Sequence, residues 1–141
     1  MRYWMKNSSS VEAPYTRDDW KSERGPLWPT VNFPRSRRPS ARRGDRMFWH
    51  AVGSAAWLGN GAFFALGEVT SDEPVLTDHE QWPWGLDVTI LAEVPLLSRA
   101  PRLSDVGVSL RSLRQQSYIK IGDEQGRRAE RLLLEAARNK R

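Results

Sequence analysis

Polar positions almost vanish between residues 44 and 71, GDRMFWHAVGSAAWLGNGAFFALGEVTS. The pattern predicts two strands, Arg46–Val52 and Gly61–Thr70, joined by a small-residue loop that carries Trp57. Side chains alternate along a strand, so Met47, Trp49 and Ala51 share one face and Phe48, His50 and Val52 the other. Neither face is polar, which places the hairpin in the middle of a sheet covered on both sides.

Alternation elsewhere is cleaner. Tyr3–Lys6 and Ser117–Ile121 read as short strands, and Leu86–Val94 as a longer one with Leu86, Val88, Ile90, Ala92 and Val94 on one face. Residues 16–24 form a short helix, with Thr16 as the expected N-cap, Asp19 completing a capping box and Trp20 as the sole apolar anchor, so peripheral packing is expected. The segment from Pro26 to Pro39 is broken by prolines and predicts an ordered surface loop, folded onto the domain by Trp28 and Phe33. Short helical turns are expected at 103–106 and 109–115. A closing helix is capped by Asp123 and buries Ala129, Leu132, Leu133, Ala136 and Ala137 as one stripe. Five strands with few, peripheral helices predict an α+β chain built on a small mixed β-barrel. At 141 residues it forms one domain, residues 1–141.

Composition narrows the chemistry. Without cysteine there are no disulfides or thiolate sites, and His50 and His79 cannot alone make a zinc centre. No run of about 18 apolar residues exists and the N-terminus lacks a leader's apolar core, so a soluble, cytoplasmic protein with no membrane contact is expected. Charge is unevenly spread over a net +5: residues 35–46 hold six arginines against Asp45, while residues 66–105 hold eight acids against two arginines. An arginine run of this density fits a polyanionic partner, with a solvated loop as the plain alternative.

The sequence contains none of the common nucleophile, P-loop, dinucleotide or zinc-protease motifs, and no cofactor is expected. His50, between apolar neighbours, fits a hydrogen-bonded core or pocket residue better than a general base. The seven tryptophans are more telling. Trp28, Trp49, Trp57, Trp82 and Trp84 lie in or beside loops around the central hairpin, whereas Trp4, Trp20 and Trp84 fit core filling best. Trp57 either plugs the barrel end or closes over a ligand. Extruded bases are held between aromatic faces and read at their edges, and Asn32, Ser54 and His50 have the side chains for such edge contacts.

The opening Y-W-M-K, the segment W-P-T-V-N-F-P-R-S-R from Trp28 to Arg37, and G-D-R-M-F-W-H from Gly44 to His50 resemble the EVE domain, a PUA-like family related to YTH readers. Residues 113–125, LRQQSYIKIGDEQ, stand where that family carries a late R-x-S segment. The chain lacks the family's V-R-N arginine, has Ala51 for the serine after the histidine, and lacks the late-strand proline. The resemblance implies a PUA-like pseudo-barrel of five or six strands with a pocket for an extruded, modified base. By position, Trp28, Asn32, Trp49, His50 and Ser54 would line that pocket and Trp57 would lie over it. Arg35, Arg37, Arg38, Arg42 and Arg43 are the phosphate-contacting candidates.

The leading expectation is thus a non-catalytic module that binds DNA or RNA, with an effector protein acting in trans. A second is a small amidohydrolase of the related ASCH type acting on modified nucleosides, for which Lys6 and Glu68 are the only remnants. A third is a protein-interaction subunit that uses the acidic face.

Overall fold

A computed structural model describes residues 1–8, 14–52 and 61–139, with only the backbone described at 114–116. The strands are β1 (Tyr3–Asn7), β2 (Thr30–Phe33), β3 (Arg46–His50), β4 (Phe63–Val69), β5 (Val75–Leu76), β6 (Trp84–Glu93) and β7 (Tyr118–Ile121). Six of them form one path, β2-β6-β4-β3-β1-β7, and β5 extends the β4 side of β6. The expected hairpin, β3 and β4, occupies the middle of this path, and both of its faces are buried, as the unbroken apolar pattern requires.

The sheet curls into a half-barrel. Its end strands, β2 and β7, meet where Phe33 packs edge-on against Tyr118, ring centroids 4.8 Å apart. Along the parallel β1–β3 pair and the antiparallel β1–β7 pair, Lys6 stands level with Trp49 on one side and Tyr118 on the other. Paired residues point to the same face of a sheet, so these three side chains share the curled side with Trp4 and Met47. The opposite face carries Tyr3, Met5, Phe48 and His50, where Tyr3 stacks on Phe48 and Phe48 meets Phe63. α3 (Asp123–Arg138) covers this side and buries Gly126, Ala129 and Leu133. Gly126 looks like a flaw in a helix, but a Cβ there would overlap the Tyr3 ring. The glycine is what lets α3 sit down on β1.

Several expectations change. The proline-broken segment is not wholly a loop: Thr30–Phe33 pairs with Trp84–Asp87 as strand β2, and β5 is a further strand. Pro29 and Pro34 merely bound β2, where a missing N–H costs nothing. α1 is only Trp20–Arg24, capped by Asp19 rather than Thr16, and Thr16 instead donates its backbone N–H and hydroxyl to Glu23. Trp20 fills the core, as expected of it, and so its helix does not pack peripherally. The Trp20 side chain is fully buried against Phe64, and its indole donates to the Val94 carbonyl at 2.7 Å. The N-cap of α3 is Gly122, not Asp123, and its N–H is satisfied by the Gln125 side chain. α2 (Leu110–Gln116) and a 3-10 turn at Leu103–Val106 stand where short helical turns were expected.

The lone acid of the arginine run is structural. Asp45 accepts from the Arg2 and Arg42 backbone N–H groups and from the Trp4 indole, at 2.9, 3.0 and 3.0 Å. Burial alone would raise its carboxyl. The hydrogen bonds from Arg42, Arg2 and Trp4, with the Arg2 charge, win and hold it below its ordinary value.

Candidate functional site

At one end of the curled side, β1, β2 and β3 leave a cavity of ≈ 230 Å³. Trp49 is its inner wall, buried because Gly67 on β4 leaves room for the indole. Asn32 and Val31 of β2 form the facing wall, and Lys6 and Asn7 of β1, with Ser8 just after it, complete it. Trp28 stands at the rim with 80 % of its surface exposed. A large indole left in water beside a cavity offers a flat apolar face to a planar ring.

The polar groups here have defined roles. Asn32 donates its amide nitrogen to the Trp82 carbonyl at 2.9 Å, which leaves its Oδ1 as an acceptor on the wall. Asn7 donates to the Leu113 carbonyl and accepts from His50 Nδ1 at 2.8 Å, so the His50 ring carries its proton on Nδ1. His50 itself is fully buried behind Asn7 and fixes that residue without lining the cavity.

Lys6 is the unexpected member. Alternation in Y-W-M-K marks it as an outward polar residue, yet it is only 8 % exposed. Its ammonium lies 5.1 Å from the Phe33 ring centroid and 5.7 Å from that of Trp82, and it donates to the Asn7 carbonyl at 3.3 Å. Burial disfavours the charge and lowers its pKa to about 8. Only the return of β2 across the sheet could reveal this, because the ring that covers Lys6 comes from 27 residues later in the chain, at Phe33.

Of the six expected pocket residues, Trp28, Asn32 and Trp49 come together, and His50 stands one side chain behind. Ser54 and Trp57 lie outside the described residues. The arginines do not form one stripe. Arg37 lies over Tyr118 at 4.8 Å, and with Lys120, Ser40 and Trp4 it lines a separate polar groove of ≈ 450 Å³. Arg38 lies over Trp84 at 5.4 Å, and Arg35 reaches the Glu80 carbonyl. Arg42 turns back onto Ala41 and Pro39, while Arg43 is ion-paired with Asp72 at 2.6 Å. The half-buried Trp84 donates to the Arg35 carbonyl and is thus the platform for this loop.

Two chemical points follow from the register. Lys6 and Glu68 stand on opposite faces of the sheet, two strands apart across it and three rungs apart along it, about 10 Å at 3.3 Å per residue in the strand direction alone, and Glu68 faces Arg46 at 3.4 Å. Among the described residues, no group of His, Asp or Glu gathers that could hold a metal ion. Nor is any helix among them long and apolar enough to cross a membrane.

No protein-family model and no curated protein matches the chain. Solved structures do. The chain is similar to protein Atu2648 from Agrobacterium tumefaciens, with 16 % identity, a TM-score of 0.50, and coverage of 99 % of this chain and 93 % of that one. Rpa0253 from Rhodopseudomonas palustris gives 17 %, 0.50, 99 % and 94 % in the same order. A hypothetical protein from Leishmania major gives 14 %, 0.56, 96 % and 96 %. At such identities the likeness concerns the fold, which these chains share over nearly their whole length.

Proposed function

We propose that this protein is a non-catalytic nucleic-acid-binding module, a PUA-like barrel of the EVE type, that takes an extruded and modified base into the Trp28–Asn32–Trp49 cavity. The observation that carries the reading is the pairing of an exposed indole at the rim, Trp28, with a buried indole wall, Trp49, around a cavity edged by Asn32. Stacking supplies sequence-tolerant affinity and the amide supplies edge recognition. Arg35, Arg37 and Arg38, held over or beside aromatic rings, are the favoured phosphate contacts. Arg43 contributes less because Asp72 already neutralises it. The partner is DNA or RNA, with a downstream effector acting in trans.

Lys6, a buried amine with a lowered pKa, favours the amidohydrolase as the second reading. Its carboxylate partner, however, stands three rungs away and is engaged by Arg46, which supports the binding reading instead.

The test is titration of oligonucleotides with and without modified bases at two salt concentrations, using the wild type and Trp28→Ala. Base–aromatic stacking is worth about 1–3 kcal/mol per base, so Trp28→Ala should weaken binding roughly five- to 150-fold. Binding should also weaken steeply with salt. No binding at low salt overturns the reading.

A further inference from the structure

The base-reading proposal leaves Lys6 without a task, and a buried ammonium needs one. Among the described residues no carboxylate lies within ion-pair reach of it, and one of its three N–H donors is spent on the neighbouring Asn7 carbonyl. Two aromatic rings offer it partial compensation, but neither neutralises its charge. Proteins seldom bury a cation this way unless something else supplies the counter-charge. Lys6 lines the same cavity as Asn32, whose Oδ1 is left to accept because its nitrogen is committed to Trp82. The wall therefore presents a cationic donor and a neutral acceptor together.

We infer that the base accepted by this cavity carries an anionic oxygen substituent, held by the Lys6 ammonium, beside an amino group donated to Asn32 Oδ1. The inference rests on the base-reading proposal and narrows it to a chemical class: an amino-bearing base with a carboxylate-type modification, in preference to a methylated or hydroxymethylated one. A methyl group gives Lys6 nothing, and a hydroxymethyl group gives it an acceptor without charge. A carboxylate satisfies both the donor and the charge, and hydrogen bonds to charged groups are among the stronger ones.

The experiment measures binding of short single-stranded oligonucleotides with one central cytosine that is unmodified, methylated, hydroxymethylated or carboxylated on the ring. It uses the wild type, Lys6→Met, Lys6→Arg and Trp28→Ala, with thermal melts to show that each variant folds. The wild type should favour the carboxylated strand by roughly tenfold over the methylated one. Lys6→Met should erase that preference by lowering affinity for the carboxylated strand far more than for the methylated one, and Lys6→Arg should keep part of it. If the wild type binds all four strands alike and Trp28→Ala weakens them all, the base reading stands and the inference about Lys6 fails. A carboxylate preference that survives in Lys6→Met also overturns the inference. If no strand binds, the base reading itself fails. Because the wild type alone discriminates the strands, the test survives a variant that does not fold.

Discussion

Phe33 on β2 and Tyr118 on β7 meet edge to face at 4.8 Å, although they belong to the two ends of the six-strand path. No backbone pairing joins these strands among the described residues, so side-chain packing is what brings the sheet round on itself. Phe33 is fully buried and Tyr118 nearly so. Phe33→Ala should therefore cost about 3–5 kcal/mol of unfolding free energy, the range for deleting a buried phenylalanine side chain. The variant also removes a ring from above Lys6. Denaturant unfolding checks the stability, and a loss below about 1 kcal/mol would mean that the curl is held elsewhere.

Gly67 and Trp49 form the second such relationship. A Cβ at Gly67 would come within 2.6 Å of the Trp49 indole and 3.2 Å of the Thr89 carbonyl, so neither the ring nor the backbone has room to yield cheaply. Gly67→Ala should destabilise the fold by about 1–3 kcal/mol, as overpacking does. It should also push Trp49 toward the cavity and weaken ligand binding further than the stability loss explains. Binding at a temperature where the variant is fully folded separates the two effects. Unchanged binding there would mean that Trp49 does not shape the cavity.

These contacts show which parts of the molecule were open to reading in advance. The hairpin of β3 and β4 was legible because residues 46–52 and 61–70 lack a polar face, and burial on both sides of a sheet is the direct physical reading of that pattern. Trp28, Asn32 and Trp49 were legible as a group through aromatic residues set beside proline-bounded chain and through the family resemblance. Strand β2 was not, since four residues between prolines have too short a period to declare themselves. Lys6 and Gly126 were hidden for a different reason. Each is locally wrong, a lysine on the buried, curled side of the sheet and a glycine inside a helix, and each is explained only by a partner distant in sequence, Phe33 or Tyr3. The arginine run was legible as charge but not as geometry, because Asp72 and two aromatic platforms, Tyr118 and Trp84, decide where the Arg43, Arg37 and Arg38 guanidiniums go.

Asp45 ties the first strand to the arginine loop through three donors. Asp45→Asn replaces one accepting oxygen by a donor and leaves at least one buried N–H facing another. A loss of about 1–3 kcal/mol follows from one unsatisfied buried group. The pH dependence has a definite sign. The folded pKa lies below the ordinary 3.8, so the stabilisation is fully present above that value and is lost as pH falls through the lowered one. Acid titration of stability in the wild type and Asp45→Asn should therefore converge at low pH. A gap between them that does not narrow on acidification would show that the carboxylate charge is not what the loop uses.

Lys6 makes the opposite prediction, that removing a charge strengthens the fold. Its pKa is lowered from 10.5 to about 8, so the folded protein holds the proton less tightly than the unfolded chain does. Between those values the unfolded chain binds more protons, and the contribution of Lys6 to stability rises with pH through this window. Below pH 8 the full cost of the buried charge is present, on the order of 3 kcal/mol from the size of the shift at about 1.4 kcal/mol per unit. Lys6→Met, which keeps the stem and loses the charge, should be more stable than the wild type at pH 7 by up to that amount. The cation–π contacts to Phe33 and Trp82 that are lost with the ammonium reduce the gain. Toward pH 10.5 the advantage should fade. Urea unfolding of both proteins across pH 6–11 reads the difference directly, with other titrating groups cancelling between them. A wild type that is the more stable of the two at pH 7 would mean that the ammonium already has its counter-charge within the protein, and the cavity would then have no reason to select an anionic ligand.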